Sequence, residues 1–248
     1  MDHEKATLPE LANEYTAAMR EAHKHAFLVR DTELQVQQVD VLIATKKRFR
    51  GFKAGAREAG DAGAANALFH MQCGLNAMIS FLTMWIELKR GNHQSAWNKL
   101  IDAQEYLSIA LRAAGGGVGV EDFLERLQRA EQVIFPGFPV YHSVGQIIRG
   151  GKCTICEMAF NSCEHIEGRV YSGRLCLRAQ AEIVEVNHVS FVDQPRDRRC
   201  IITEITAEDG YYHDYMTGKR TKKAEDKEEG TAGRLTGVIF HNPSIEID

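Results

Sequence analysis

The stretch "FPGFPVYH", Phe135–His142, marks the point at which the chain changes its period. Pro136 and Pro139 each lack a backbone N–H, so a helix cannot run through them. Upstream, apolar residues recur every three or four positions, as on one face of a helix. Downstream, short β-branched or aromatic runs alternate with Gly, Pro, Asn and Asp. The expected class is α+β, with an N-terminal α-helical bundle or helical-hairpin domain over residues 1–134. A small antiparallel β-rich domain is expected to follow over residues 140–248.

Working upstream, Pro9 opens a first helix through "ELANEYTAAMREAHKHAFLV", which is rich in good helix formers. Asp31 and Thr32 offer caps for a second helix, with Gln35 three residues after Thr32 as in a capping box. The third helix is the clearest. Leu68, Met71, Leu75, Met78, Ile79, Leu82, Trp85 and Ile86 line one helical face. "RGNHQS" interrupts it, and Trp97, Leu100, Ile101, Leu107 and Leu111 continue the pattern in a fourth. So short a connection predicts an antiparallel hairpin. Gly115–Gly117 end the fourth helix, and Phe123, Leu124, Leu127 and Val133 mark a fifth.

Working downstream, strands are expected at "AEIVEV", "HVSFVD", "CIITEI", "YYHDY" and "RLTGVIF". The charged, glycine-bounded stretch at residues 217–233 is expected to be a mobile loop. A β domain of this size has a thin core, which a structural metal would staple.

The segment "KCTICEMAFNSCEHIEG" supplies the means. Cys153, Cys156, Cys163 and His165 fall within thirteen residues, in the spacing C-x2-C-x6-C-x-H. Two residues between thiolates let both sulfurs reach one tetrahedral zinc ion at about 2.3 Å. Ligands so close in sequence lose little chain entropy when the site closes. A Cys3His zinc loop at residues 153–165 is therefore expected, with Cys176 or His142 as alternatives to His165 for the fourth ligand. Catalytic zinc keeps an open position and favours histidine or carboxylate ligands, whereas thiolates dominate here, so the Zn2+ is expected to be structural.

A second constellation is basic. In "TKKRFRGFK", Lys46, Lys47, Arg48, Arg50 and Lys53 surround Phe49 and Phe52 at the end of the second helix. Cations neutralise phosphates while exposed aromatics stack on bases, so these residues are candidate nucleic-acid contacts. Cations at a helix C-terminus also complement its dipole, and the phenylalanines can enter the core.

Several partial resemblances accompany these readings. The metal loop is similar in length to the zinc knuckle of retroviral nucleocapsid proteins, but a knuckle places its histidine third and a cysteine last. The run "CTICEMAFNSCEHI" resembles the start of an HNH nuclease, which implies His165 as general base beside Glu164. That family needs an asparagine and a second histidine on a following helix. Asn187, His188, His241 and Asn242 stand instead in strand-like or terminal segments. "EIVEVNHVSFVDQPRDRRCII" resembles the closing strands of phage prohead proteases through Glu185, Val186, Ser190, Val192 and Pro195. No equivalents of that family's upstream histidine and serine are found. Arg20 and His25 match the R-x4-H spacing of HEPN-type ribonucleases, on what reads as a solvated helix face.

A net charge of −4 gives no bulk attraction to nucleic acid, so such binding needs a local patch. No apolar run approaches the roughly 20 residues of a membrane span. The acidic, polar "MDHEKATLPELANEY" is unlike a secretory signal, so a cytoplasmic location is expected, with six reduced cysteines serving as buried thiols or ligands. The reading that follows is a non-enzymatic binding or assembly protein with one structural zinc. Its helical domain would provide a protein-partner or oligomer interface, with nucleic acid as a further partner and no membrane. The alternative is a hydrolase, HNH-like nuclease first and prohead-protease-like peptidase second, in a phage or phage-defence setting.

Overall fold

The computed structural model describes residues 6–114, 118–137, 141–206, 209–223 and 235–237. Five helices among them precede all the strands: α1 (Leu8–His23), α2 (Thr32–Glu58), α3 (Ala62–Lys89), α4 (His93–Ala114) and α5 (Val118–Ile134). The change of period at Phe135 is real, and the α+β class stands. The expected helix stop at residues 115–117 lies outside the described residues, as does Pro139.

Local chemistry sets the helix starts. Glu10 accepts the Thr7 amide at 2.7 Å, closing a capping box around Pro9. At α2 the cap is Asp31 alone, whose carboxylate accepts from the amides of Glu33 and Leu34 at 2.8 and 3.2 Å. Gln35 does not complete a box with Thr32. It is fully buried, and its amide donates to the carbonyls of His25 and Phe27 at 2.7 and 2.9 Å, tying down the α1–α2 connection.

The α3 expectation was too narrow. This helix is buried on nearly every side, adding Phe69, Cys73, Ala77, Phe81 and Met84 to the face read from its periodicity. It packs against α1, α2 and α4, so no solvent stripe survives to reveal its position. Tyr15 of α1 crosses it at Gly74, where any Cβ would overlap the tyrosine hydroxyl. Burial pushes that hydroxyl up to a pKa of about 12. The turn Arg90–Asn92 reverses the chain into α4, giving the expected antiparallel pair.

After the helices come β1 (Tyr141–Cys153), a 3-10 turn (Phe160–Ser162), β2 (Val170–Tyr171), β3 (Arg174–Leu175) and β4 (Arg178–Val192). Next are β5 (Ile202–Thr206), β6 (Tyr211–Asp214), β7 (Arg220–Lys223) and β8 (Leu235–Gly237). They form a β1–β4 ribbon, a short β2–β3 pair and a four-stranded sheet in the order β7-β6-β5-β8, antiparallel throughout. Two expected strands, 181–186 and 188–193, are one. Asn187 does not separate them: Gly145 faces His188 while Gln146 faces Val186, leaving Asn187 as the extra residue of a bulge. Part of the expected 217–233 loop is also strand, because Arg220–Lys223 pair with β6. Residues 224–233 lie outside the described residues.

One buried cluster runs through all five helices and takes in Leu175 of β3 and Ile201 just before β5. A charged clasp joins the halves beside Ile201. Arg199 is 1% exposed, and its guanidinium lies 2.6 Å from Asp102 and 2.7 Å from Glu105 of α4, and 3.0 Å from Asp197. Burial opposes its charge, but Glu105 and Asp102 outweigh that and raise its pKa. Next to it, Arg198 pairs with Gln104 and Glu131, and its carbonyl accepts from the Trp97 indole at 2.9 Å. The charges of Arg198 and Arg199 are thus largely consumed inside the molecule.

Candidate metal centre

Strand β1 ends at Cys153, and the chain turns at once. The Glu157 amide donates to the Cys153 carbonyl at 2.9 Å, and the Cys153 amide to the Met158 carbonyl at 3.0 Å. Glu157 takes the left-handed conformation, with φ of 62°, to complete this turn. Thr154 stitches the turn to the chain entering β4. Its hydroxyl donates to the Leu175 carbonyl at 2.8 Å and accepts the Leu177 amide at 2.9 Å. The 3-10 turn then reverses the loop so that Cys163 and His165 come back over the C-x2-C corner.

One ligand atom from each of Cys153, Cys156, Cys163 and His165 lies within 4.8 Å of the others. These four form a group able to hold a metal ion. A tetrahedral zinc with Zn–S bonds of 2.3 Å would set sulfurs about 3.8 Å apart, so the grouping needs little further closure. His165 Nδ1 is buried and has no hydrogen-bond partner among the described residues. Its ring stands edge-on to Tyr171 with centroids 4.7 Å apart, and the Tyr171 hydroxyl accepts the Ile166 amide at 3.1 Å. A buried nitrogen held that firmly has the character of a ligand.

The thiols differ among themselves. For Cys153, burial pushes upward and is overcome by the amides of Cys156 and Ile155 and the neighbouring thiols, bringing its pKa down to about 6. Burial raises that of Cys163, and raises that of Cys176 to about 11.

Of the two alternative fourth ligands, one is near and one is not. Cys176 Sγ lies 3.7 Å from Cys153 Sγ, close to the sulfur–sulfur edge of a zinc tetrahedron. His142 sits eleven residues back along β1. At 3.3 Å per residue that is roughly 36 Å from Cys153, which removes His142 from consideration. Its ring packs on Phe191 instead.

The loop is seated on the helices. Gly173 donates its amide to Asn66 of α3 at 2.7 Å, and a Cβ there would strike the Ala65 carbonyl. Asn187 and His188, wanted by the nuclease resemblance, lie exposed at the bulge of β4, on strand rather than helix. His241 and Asn242 lie outside the described residues.

The basic constellation is redistributed. The segment does not end α2, which continues to Glu58, so it is Arg57 that faces the C-terminal dipole. Phe49 is fully buried and offers no stacking platform, while Phe52 is half-buried beneath Arg48. Arg48 pairs with Glu14 of α1 at 2.7 Å, Lys47 is exposed and Lys46 half-buried. Lys53 is buried, its ammonium 5.2 Å from the Phe69 ring centroid. Arg50 and Lys53 turn toward the metal loop, where Arg57, Lys152 and Arg174 join them around a cavity. Arg174 is aimed by its bonds to the carbonyls of Thr154 and Ile155. The last three cations went unnoticed in the sequence because each stands alone there.

Comparison with known proteins is silent: no protein-family model matches the chain, and no curated protein or solved structure matches it significantly. Among the described residues, no helix is long and apolar enough to cross a membrane.

Proposed function

We propose that this is a cytoplasmic binding or assembly protein whose β half is held in shape by one structural zinc ion at Cys153, Cys156, Cys163 and His165. The observation that carries this reading is the convergence of three sulfurs and one imidazole nitrogen within 4.8 Å on a loop pinned at both ends. Four protein ligands saturate a tetrahedral ion, leaving no position for substrate or activated water. Bound there, zinc cross-links the corner after β1 to the segment Cys163–His165, which leads into the strand pair seated on α3.

The assembly role is supported by exposed apolar surface. The β1–β4 ribbon leaves Ile147, Ile183, Val184, Val186, Val189 and Phe191 between 43% and 59% exposed. A two-stranded ribbon is marginal in water by itself, and its outer edges carry unpaired backbone groups. A second copy of the chain, adding its own ribbon edge to edge, is the occupant we assign to it. The helical half adds exposed Phe27, Leu28 and Val29 before α2, and Val41 and Ile43 on it, as the partner surface of that half. The cations of α2 supply the contact with nucleic acid.

The test is elemental mass spectrometry of the native chain before and after chelation, with circular dichroism of both samples. One equivalent of zinc is expected, and its removal should collapse the β signal. Cys153→Ser should lose both zinc and fold. His165→Ala should keep zinc at reduced affinity, because Cys176 stands close enough to replace it. Zinc released without unfolding, or a well-folded His165→Ala protein that alone loses divalent-dependent cleavage of nucleic acid, would overturn the structural reading.

A further inference from the structure

The metal loop does more than close on itself: its outer wall and the late turns of α2 flank an open cavity of about 520 Å³. Ligand pockets generally fall between roughly 300 and 1,000 Å³, so this one is of mononucleotide scale. Its charge is lopsided. Arg50, Lys53 and Arg57 enter from the helix, Lys152 and Arg174 from the β half, and among the described residues Glu157 is the one carboxylate in the lining.

Each contribution has a structural cause. Arg50, Lys53 and Arg57 follow at three- and four-residue steps, so one face of α2 presents all three. Lys53 lines the cavity with its buried stem, 4% exposed, while its ammonium lies 5.2 Å from the Phe69 ring centroid. Arg174 donates from both terminal nitrogens to the carbonyls of Thr154 and Ile155, inside the C-x2-C corner, so the metal loop fixes the place of this guanidinium at the cavity's edge. Two of the three non-glycine residues with positive φ among those described, Glu157 and Gln180, also belong to the lining. Left-handed backbone at such residues costs energy and persists where the surroundings demand it.

We propose that this cavity binds a phosphomonoester, the chemical class shared by a free nucleotide and the 5′-phosphorylated end of a nucleic-acid strand. Near neutral pH such a group carries nearly two negative charges and three acceptor oxygens. The guanidinium forks of Arg50 and Arg57 suit those oxygens in pairs, and Lys152 adds compact positive charge. A phosphodiester within a strand has one charge and no free end, and it gains less from cations grouped around one open cleft. The site differs from the general basic surface read in the sequence: Lys47 and Arg48 take no part, and Arg57, Lys152 and Arg174 do. It is also separable from the structural role of the metal, because a zinc-loaded, folded protein that ignored phosphate would sink the pocket and leave the metal reading intact.

The experiment uses the full-length, zinc-loaded chain and fluorescence anisotropy with one labelled single strand, prepared with either a 5′-phosphate or a 5′-hydroxyl. Adenosine 5′-monophosphate, adenosine and inorganic phosphate serve as competitors. The phosphorylated strand should bind about tenfold or more tightly than the hydroxyl form, as one charge-assisted contact set suggests. If the nucleotide competes at concentrations where adenosine does not, the cavity accepts a free phosphomonoester. If only the phosphorylated strand binds, the ligand is a strand end. Either supports the proposal. Arg50, Arg57 and Lys152 are exposed, so Arg57→Gln and Lys152→Gln should keep fold and zinc while each weakens the phosphate-dependent part roughly tenfold. Equal affinity for both strands together with no competition by nucleotide or phosphate would overturn it, as would both variants retaining full discrimination.

Discussion

Replacing Arg199 by methionine tests whether the halves are clasped as the structure indicates. The guanidinium touches three carboxylates of unequal exposure: Asp102 at 3%, Asp197 at 24% and Glu105 at 37%. Without Arg199, Glu105 and Asp197 can turn to water. Asp102 cannot, and removing one partner of a buried pair typically costs about 3–5 kcal/mol. Lys99 remains 2.9 Å from Asp102, which argues for the lower end, about 3 kcal/mol. In a chain of this length each kcal/mol lowers Tm by roughly 2–4 °C, so a fall of about 6–12 °C is expected. Thermal and urea unfolding followed by circular dichroism measure it. The double variant Arg199→Met with Asp102→Leu should recover most of the loss, because an apolar pair of similar volume replaces a buried ion pair at little cost. A single variant within about 1 kcal/mol of the native protein would refute the reasoning. So would a double variant showing the sum of two separate losses.

Further outcomes follow from the same geometry. Ile183→Lys with Val186→Lys on the exposed ribbon should turn a self-associating chain into a monomer in light-scattering chromatography without changing zinc content; a native chain that is already monomeric would remove the ribbon's assigned occupant. Burial, and secondarily Arg126, lower the pKa of His23 to about 4 against an ordinary value of 6.5. The unfolded chain therefore takes up this proton first as pH falls. His23 contributes stability that is complete above pH 6.5 and is lost progressively toward pH 4, so Tm should decline over that window and decline less in His23→Gln. Parallel profiles would show that the titration lies elsewhere.

Much of this protein was legible before any fold was known. Thiolates spaced C-x2-C-x6-C-x-H carry their own closure, because ligands separated by so few residues meet whatever the rest of the chain does. The boundary at Phe135 was equally local, since proline denies the helix a donor wherever it occurs. Periodicity located α3 but understated it, because a helix enclosed on all sides loses the polar face that makes a period visible. Asn187 was misread as a break, since only the partner strand reveals that a residue is bulged rather than turning.

Tertiary structure alone decided what depends on distant partners. Nothing around Arg199 in "RDRR" marks it as buried, and only the approach of Asp102 and Glu105, nearly a hundred positions earlier, makes it a buried clasp. His142 and Cys176 were equal candidates as ligands until strand β1 carried one away and the return through β3 brought the other to 3.7 Å from Cys153. The cationic cavity is the strongest case: Arg57, Lys152 and Arg174 have no common pattern along the chain, and their charges add only because packing sets them around one space. Local spacing determines what neighbouring residues must do, whereas electrostatics and burial act through space, and the fold decides which residues share it.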